Sequence, residues 1–250
     1  STRNDANAVN QILHTLDDFG LHHDGKVMYE SDFADAYQQA LQQLRDLNLL
    51  YPCICSRKQL IRYRNQHPNT PPYPGFCRDQ QHHDQQAHAV RVKTFSETIR
   101  FNDALQGEIS QNLYLEHGDF IVQRRDKIIA YQLSSVVGEQ HQQITEVVRG
   151  YDLLDSTPRQ IYLQQQLGFN TPNYMHVPVI IDKQGAKLSK QAFAKAVASD
   201  HINQTLYYLL IKLKQSPPEQ LATATPSEIL DWAIVHWKPE TLTNFQAIVI

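Results

Sequence analysis

The sequence predicts an α/β fold built on a parallel sheet, with an inserted metal-binding subdomain and a helical C-terminal region. Three observations predict it. Two apolar runs of strand length, Phe120-Ile121-Val122 and Val177-Pro178-Val179-Ile180-Ile181, flank a helix that Thr157 and Pro158 open and Gly168 closes. Strand and helix in alternation is the pattern of a parallel sheet. From Pro52 to about Asn112 the texture changes to a proline- and histidine-rich block that holds all three cysteines. After Lys190 the pattern turns helical. The chain thus divides into a discontinuous α/β domain (1–51 and 113–190), an insert (52–112) and a helical region (191–250).

The elements follow in order. Val9, Ile12, Leu13, Leu16 and Phe19 recur at helical spacing, and Gly20 fits the C-terminal cap. Ser31 reads as the next N-cap, ahead of an apolar face of Phe33, Tyr37, Leu41, Leu44 and Leu47. Ser56-Arg57-Lys58-Gln59 reads as a capping box. The run His67 to Gly75 carries too much proline for regular structure, and the Gln- and His-rich stretch from Gln80 to His88 reads as a loop. Ala89-Val90-Arg91-Val92-Lys93 alternates like a half-buried strand. Helices are expected over about 192–198, 202–213 and 227–237.

Composition narrows the function. The chain has 250 residues and a formal net charge of -3, so it is no bulk basic nucleic-acid binder. A nucleic-acid partner needs local patches, and Arg57, Lys58, Arg62 and Arg64, then Arg124, Arg125 and Lys127, supply candidates. No apolar run approaches the ~20 residues of a membrane helix. An odd cysteine count argues against a secreted disulfide scaffold. These features point to a soluble cytoplasmic protein with no membrane partner. The sequence does not show the oligomeric state, and with nothing suggesting an obligate partner a monomer is expected.

Cys53, Cys55 and Cys77 form a Cys-x-Cys pair with a third thiol after a loop. Two thiolates can clamp a soft metal and a third continues a tetrahedral site, so the spacing favours structural zinc over three free thiols. The fourth ligand stays open among Tyr73, His67, His82 and His83.

Gly185-Ala186-Lys187-Leu188-Ser189-Lys190 places two lysines three apart around a serine, after an apolar strand. Two mobile cations and a hydroxyl suit a polyphosphate. Upstream lie Asp119-Phe120-Ile121-Val122-Gln123-Arg124-Arg125-Asp126, Ala130-Tyr131-Gln132-Leu133, Thr145-Glu146-Val147-Val148-Arg149-Gly150 and Thr157-Pro158-Arg159-Gln160. In this order and spacing they resemble the glutamyl-tRNA synthetase family, class I enzymes with a Rossmann-like sheet. The resemblance implies that Lys187 and Lys190 are the catalytic cations of a KMSKS-type loop. Ser189 and Lys190 would bind ATP, with Mg as its companion. Tyr131 and Arg149 would bind L-glutamate. Tyr73 would complete a zinc site with Cys53, Cys55 and Cys77. Some sixty residues follow Lys190, which matches the family's short branch. That branch passes activated glutamate to the queuosine base at the wobble position of tRNA(Asp), so the partner implied is an anticodon loop.

The sequence also departs from the family. Its first strand–helix unit, with the HIGH-type motif, has no counterpart in these 250 residues, so the chain as given is expected to be inactive. Gly138 stands where the family has an aspartate, and Gln143 where it has a glycine. Two competing readings follow: a zinc-stabilised tRNA-binding scaffold with impaired catalysis, and a fragment of an ordinary glutamyl-tRNA synthetase.

Overall fold

The computed structural model describes residues 7–80, 87–187 and 201–250. Along the chain run α1 (Ala8–Asp18), α2 (Ala34–Asp46), β1 (Leu50–Cys53), α3 (Arg57–Gln66), β2 (Ala89–Val92), β3 (Thr98–Asp103), β4 (Gly107–Asn112) and α4 (Leu113–Glu116). Then follow β5 (Phe120–Gln123), α5 (Tyr131–His141), β6 (Glu146–Gly150), α6 (Thr157–Leu167), β7 (Asn173–Val177), β8 (Val179–Ile181), α7 (Ile202–Lys212), α8 (Pro226–His236) and β9 (Ala247–Val249). They form two compact units, Met28–His176 and a second made of Ser1–Val27 with Val177–Ile250.

The larger unit holds two sheets, ordered β1-β2-β5 and β4-β3-β7-β6. In the second, β3 pairs with β7 in parallel, Asp103 opposite Tyr174. Leu41 and Leu44 of α2, Leu133 and Val136 of α5, and Ile161, Tyr162 and Leu163 of α6 pack into one core with Val92 and Val122. Each of these side chains is at most 3% exposed, so the helices are fixed by their apolar faces rather than by propensity.

Several sequence expectations change here. Phe120–Val122 pairs antiparallel with β2 instead of joining the parallel sheet. Val177–Ile181 is two strands, because Pro178 has no N–H to give a ladder; β8 pairs with β9. Ala89–Val92 is buried at all four positions, not alternately, since Arg91 finds polar partners inside. Ser31 lies within a 3-10 turn, Glu30–Phe33, and α2 starts after it. Ser156, not Thr157, is the cap of α6; the Thr157 hydroxyl is engaged elsewhere. The capping box at Ser56 and Gln59 forms as read.

Gln143 follows α5 with φ +55°. A left-handed conformation costs an L side chain roughly 1–2 kcal/mol and costs glycine little. The position therefore suits a glycine better than a glutamine. Gln143→Gly is expected to stabilise the chain by about 0.5–1 kcal/mol, seen as a higher urea midpoint. An unchanged or lower midpoint would contradict it.

The smaller unit packs Phe19 of α1 against Leu206 and Leu210 of α7 and Ile229 of α8. Its 202–213 and 227–237 helices appear within a residue of expectation; the helix expected at 192–198 lies outside the described residues. Among the described residues, no helix is long and apolar enough to cross a membrane.

Candidate active site and metal-binding cluster

Arg149 near the end of β6, Asp103 at the end of β3 and His176 near the end of β7 share the carboxyl edge of one sheet. Ligands of open α/β sheets bind outside that edge. The N-terminal residues of α5 and α6, Tyr131 and Thr157, join them. Arg149 Nη1 donates to Tyr131 Oη at 3.4 Å. Its Nη2 donates to Thr157 Oγ1 and Gln160 Oε1, both at 2.7 Å, and its Nε donates to His176 Nε2 at 3.1 Å. Its guanidinium also lies 5.5 Å from the centre of the Tyr174 ring.

All four hydrogen-bond partners of this guanidinium are neutral. No direct hydrogen-bond partner cancels its charge. A free guanidinium can fork two nitrogens onto one carboxylate. The structure commits Nη2 to Thr157 and Gln160, so Nη1 and the phenol of Tyr131 face outward together. Tyr131 is 47% exposed, which leaves its hydroxyl open to a ligand.

Behind Arg149, His176 and Asp103 are fully buried and their side chains meet at 2.6 Å. Burial raises the Asp103 pKa, but the bonds from His176 and from backbone N–H groups win, and its carboxyl sits below the usual range. Asp103 therefore adds stability above the ordinary carboxylate range, and that contribution is lost as pH falls through its depressed value. Glu139 behaves oppositely. Burial raises its pKa, and neither Ser135 nor the charge of Arg149 pulls it back to normal.

A cleft of about 370 Å³ runs beside Tyr131 and is also lined by Gln132, His117, Arg159 and Tyr73. A larger one, about 490 Å³, opens near Thr145 and Asn173. Those residues lie at the amino ends of β6 and β7, so the first cleft is the one placed for chemistry.

The three thiols converge. Cys53, Cys55 and Cys77 place their sulfurs within 4.8 Å of one another, with Cys55 and Cys77 at 3.6 Å. A tetrahedral zinc with ~2.3 Å bonds separates its sulfurs by ~3.8 Å, so the donor set fits. Tyr73 Oη lies 3.5 Å from Cys53 Sγ and accepts the Cys77 backbone N–H at 3.1 Å. His67 instead stacks on Tyr63, its Nδ1 3.1 Å from the Tyr63 carbonyl. His82 and His83 lie outside the described residues.

Arg91 donates from Nε to Cys53 Sγ at 3.2 Å and lies 3.8 Å from the centre of the Tyr73 ring. Burial raises the Cys53 pKa, but the Tyr73 bond and the Arg91 charge outweigh it and the thiol ends below its ordinary value. Burial, then the neighbouring sulfurs, pushes Cys55 up to about 12. Burial and the bond with Cys53 push Tyr73 up as well. Gly118 seats the tyrosine: at φ +63°, its Cβ position is 2.6 Å from the Tyr73 carbonyl oxygen, so no larger residue fits without displacing that backbone.

Asp119 ties this cluster to the sheet. It accepts from Tyr51 Oη at 2.6 Å, Arg78 Nη2 at 2.8 Å and the Thr94 N–H at 2.7 Å. Of the basic candidates, Arg57, Lys58, Arg62 and Arg64 are exposed on α3, and Arg125 donates to the Ile54 carbonyl at 2.8 Å, just before that helix. Arg124 pairs with Asp126, and Lys127 sits in the turn after it with φ +65°.

In the smaller unit, Lys187 closes a turn onto Ile181. Asp182 Oδ1 holds that turn by accepting the N–H groups of Gln184 at 2.9 Å and Ala186 at 2.8 Å. Lys187 is exposed at its end; Ser189 and Lys190 lie outside the described residues.

Sequence reasoning missed Asp103, His176 and Gln160. A signal existed for His176, which shares the buried face of its strand, Asn173-Tyr174-Met175-His176-Val177, with Tyr174. An inward polar residue on such a strand needs a partner.

Comparison with known proteins settles the family. The catalytic-domain model of the class I tRNA synthetases for E and Q matches residues 1–213. A Glutamyl-Q tRNA(Asp) synthetase of Pseudomonas putida is 43% identical over 237 residues, 95% of this chain and 77% of the relative. One from Thiobacillus denitrificans is 44% identical over 241 residues, 96% of this chain and 80% of the relative.

The chain belongs to the glutamyl-Q tRNA(Asp) synthetase family.

These are aminoacyl-tRNA synthetase-like ligases with a Rossmann-like α/β catalytic domain of class I. A glutamate tRNA ligase from Elizabethkingia meningosepticum, solved in complex with its amino acid, superposes with a TM-score of 0.74 at 16% identity. A glutamate-tRNA synthetase from Elizabethkingia anophelis gives 0.75, also at 16%. The chain spans 58% and 59% of the length of those two structures, and the likeness shows their common fold.

Proposed function

We propose that the chain provides the catalytic scaffold of a glutamyl-Q tRNA(Asp) synthetase, which activates L-glutamate with ATP and transfers it to the queuosine base of tRNA(Asp). The observation that carries this reading is Arg149: a partly buried guanidinium with four neutral partners, beside an exposed phenol, at the carboxyl edge of the sheet. A site of that kind receives an anion. The glutamate side chain would place its carboxylate against Arg149 Nη1 and the Tyr131 hydroxyl.

Its α-carboxylate oxygen then bonds to the α-phosphorus of ATP, and the bond to pyrophosphate breaks. Lys187 and Lys190, with Ser189 between them, would follow the phosphate charge as it shifts, with Mg as counter-ion. A hydroxyl of the queuosine base next attacks the activated carbonyl, and AMP leaves. The anticodon loop would approach over the exposed α3 and Arg125, near the cleft beside Tyr131.

Zinc would be held by Cys53, Cys55, Cys77 and Tyr73, stapling a segment with little apolar core of its own. Four protein ligands leave no open position, so its part is structural. The reading places the protein in the cytoplasm as a monomer, with residues 52–112 as the zinc insert and 191–250 as a helical contact region for the tRNA stem. The test is transfer of labelled glutamate to tRNA(Asp) with and without queuosine, by a protein that carries the family's HIGH-type segment ahead of Ser1. Transfer instead to the terminus of a tRNA for glutamate, added in parallel, would point to an ordinary glutamyl-tRNA synthetase. Bound zinc and tRNA with no transfer would point to a binding scaffold.

A further inference from the structure

We infer that Asp103 and His176 are positioning residues for Arg149, an acceptor relay that aims the guanidinium while leaving its charge available to the glutamate carboxylate. The inference rests on the reading of Arg149 as the glutamate-binding cation.

The relay begins with backbone geometry. Asp103 Oδ1 accepts the N–H groups of Leu105 at 3.0 Å, Gln106 at 2.9 Å and His176 at 3.2 Å. Three backbone donors fix which oxygen faces the turn, so Oδ2 is the one that meets His176 Nδ1, at 2.6 Å. A carboxylate only accepts, so Nδ1 carries a proton; the Arg149 Nε–H only donates, so the Nε2 it meets keeps a lone pair. That lone pair faces Arg149 Nε at 3.1 Å and Thr157 Oγ1 at 3.1 Å. Thr157 and Gln160 then hold Nη2, and the guanidinium plane is fixed from two sides.

A carboxylate placed directly on Arg149 would fix it equally well, but would cancel the charge that the substrate needs. The imidazole solves this by inserting a neutral acceptor and keeping the Asp103 carboxylate one ring further away. An aspartate and a histidine buried in strand positions cost more than an apolar pair would. Orientation of Arg149 is what the structure shows in return.

Asp103→Asn tests the relay in the protein that carries the family's HIGH-type segment ahead of Ser1, the form in which glutamate activation is measured. The three backbone donors hold the remaining oxygen at the Oδ1 position, so the amide nitrogen faces His176 Nδ1 and donates to it. The ring must then carry its proton on Nε2, opposite the Arg149 Nε–H, and two donors confront each other. Nitrogen-15 spectra are expected to show His176 protonated on Nδ1 in the natural protein and on Nε2 in Asp103→Asn. Exchange of the Arg149 Nε–H is expected to speed up at least tenfold in the variant. The KM for glutamate in pyrophosphate exchange is expected to rise roughly tenfold or more, with the KM for ATP unchanged.

A folded Asp103→Asn protein with normal Arg149 exchange and normal glutamate KM overturns the relay. If that variant does not fold, the natural protein decides alone: an Nε2-protonated His176 between pH 6 and 8 overturns it, and an Nδ1-protonated one upholds it. Failure of the underlying site reading is seen separately, because Arg149→Ala would then use glutamate at the natural level.

Discussion

In the protein extended by the family's HIGH-type segment, Arg149→Lys is expected to lower glutamate activation by roughly a hundredfold, a loss of about 2.7 kcal/mol in transition-state stabilisation. The guanidinium reaches His176, Thr157, Gln160 and Tyr131 from three nitrogens at once. An ammonium is a single point charge and cannot span them. It would also strand Gln160, whose Nε2 is already buried without a partner. The change should appear chiefly in the KM for glutamate and in the glutamate-to-glutamine preference, with zinc content intact. Kinetics at natural levels with lysine in place would show that Arg149 does not bind the substrate.

Cys53→Ser is expected to abolish stoichiometric zinc and to loosen the segment around Tyr73 and Cys77. Structural zinc contributes apparent binding energies of roughly 10 kcal/mol or more, so its loss outweighs any single packing change in this region. Around the cluster, Tyr51, Cys53, Tyr73 and Cys77 are buried, but few apolar side chains back them. Tyr73→Phe retains three thiolates and should hold zinc more weakly, whereas His67→Ala should bind it as before. Native mass spectrometry of the three proteins gives the metal count directly. Zinc bound one-to-one in Cys53→Ser would refute the site, and zinc lost in His67→Ala would transfer the fourth position to the histidine.

The legible parts of this protein were those written in local code. The capping box at Ser56 and the helix stop at Gly168, which adopts φ +68°, follow from short-range chemistry. The apolar face of α2 gave part of the core, because Leu41 and Leu44 keep helical spacing, whereas α6 is buried nearly all round and shows no such stripe. Sheet membership was not legible. Phe120–Gln123 looks like any buried strand, and only pairing with β2 decides that it runs antiparallel. The site divided in the same way. Tyr131 and Arg149 stood in recognisable runs, and the structure brings them to 3.4 Å. Asp103 and His176 are 73 residues apart, and the parallel β3–β7 register is what joins them. No spacing rule reports a contact that exists only across a sheet.

The most direct test of the central claim is label transfer. A protein extended by the family's HIGH-type segment is given labelled glutamate, ATP and tRNA(Asp) with or without queuosine. Stable label on the queuosine-bearing tRNA alone, reduced about a hundredfold by Arg149→Lys, is the predicted result. No label on either tRNA, from a folded protein with one bound zinc, would contradict it.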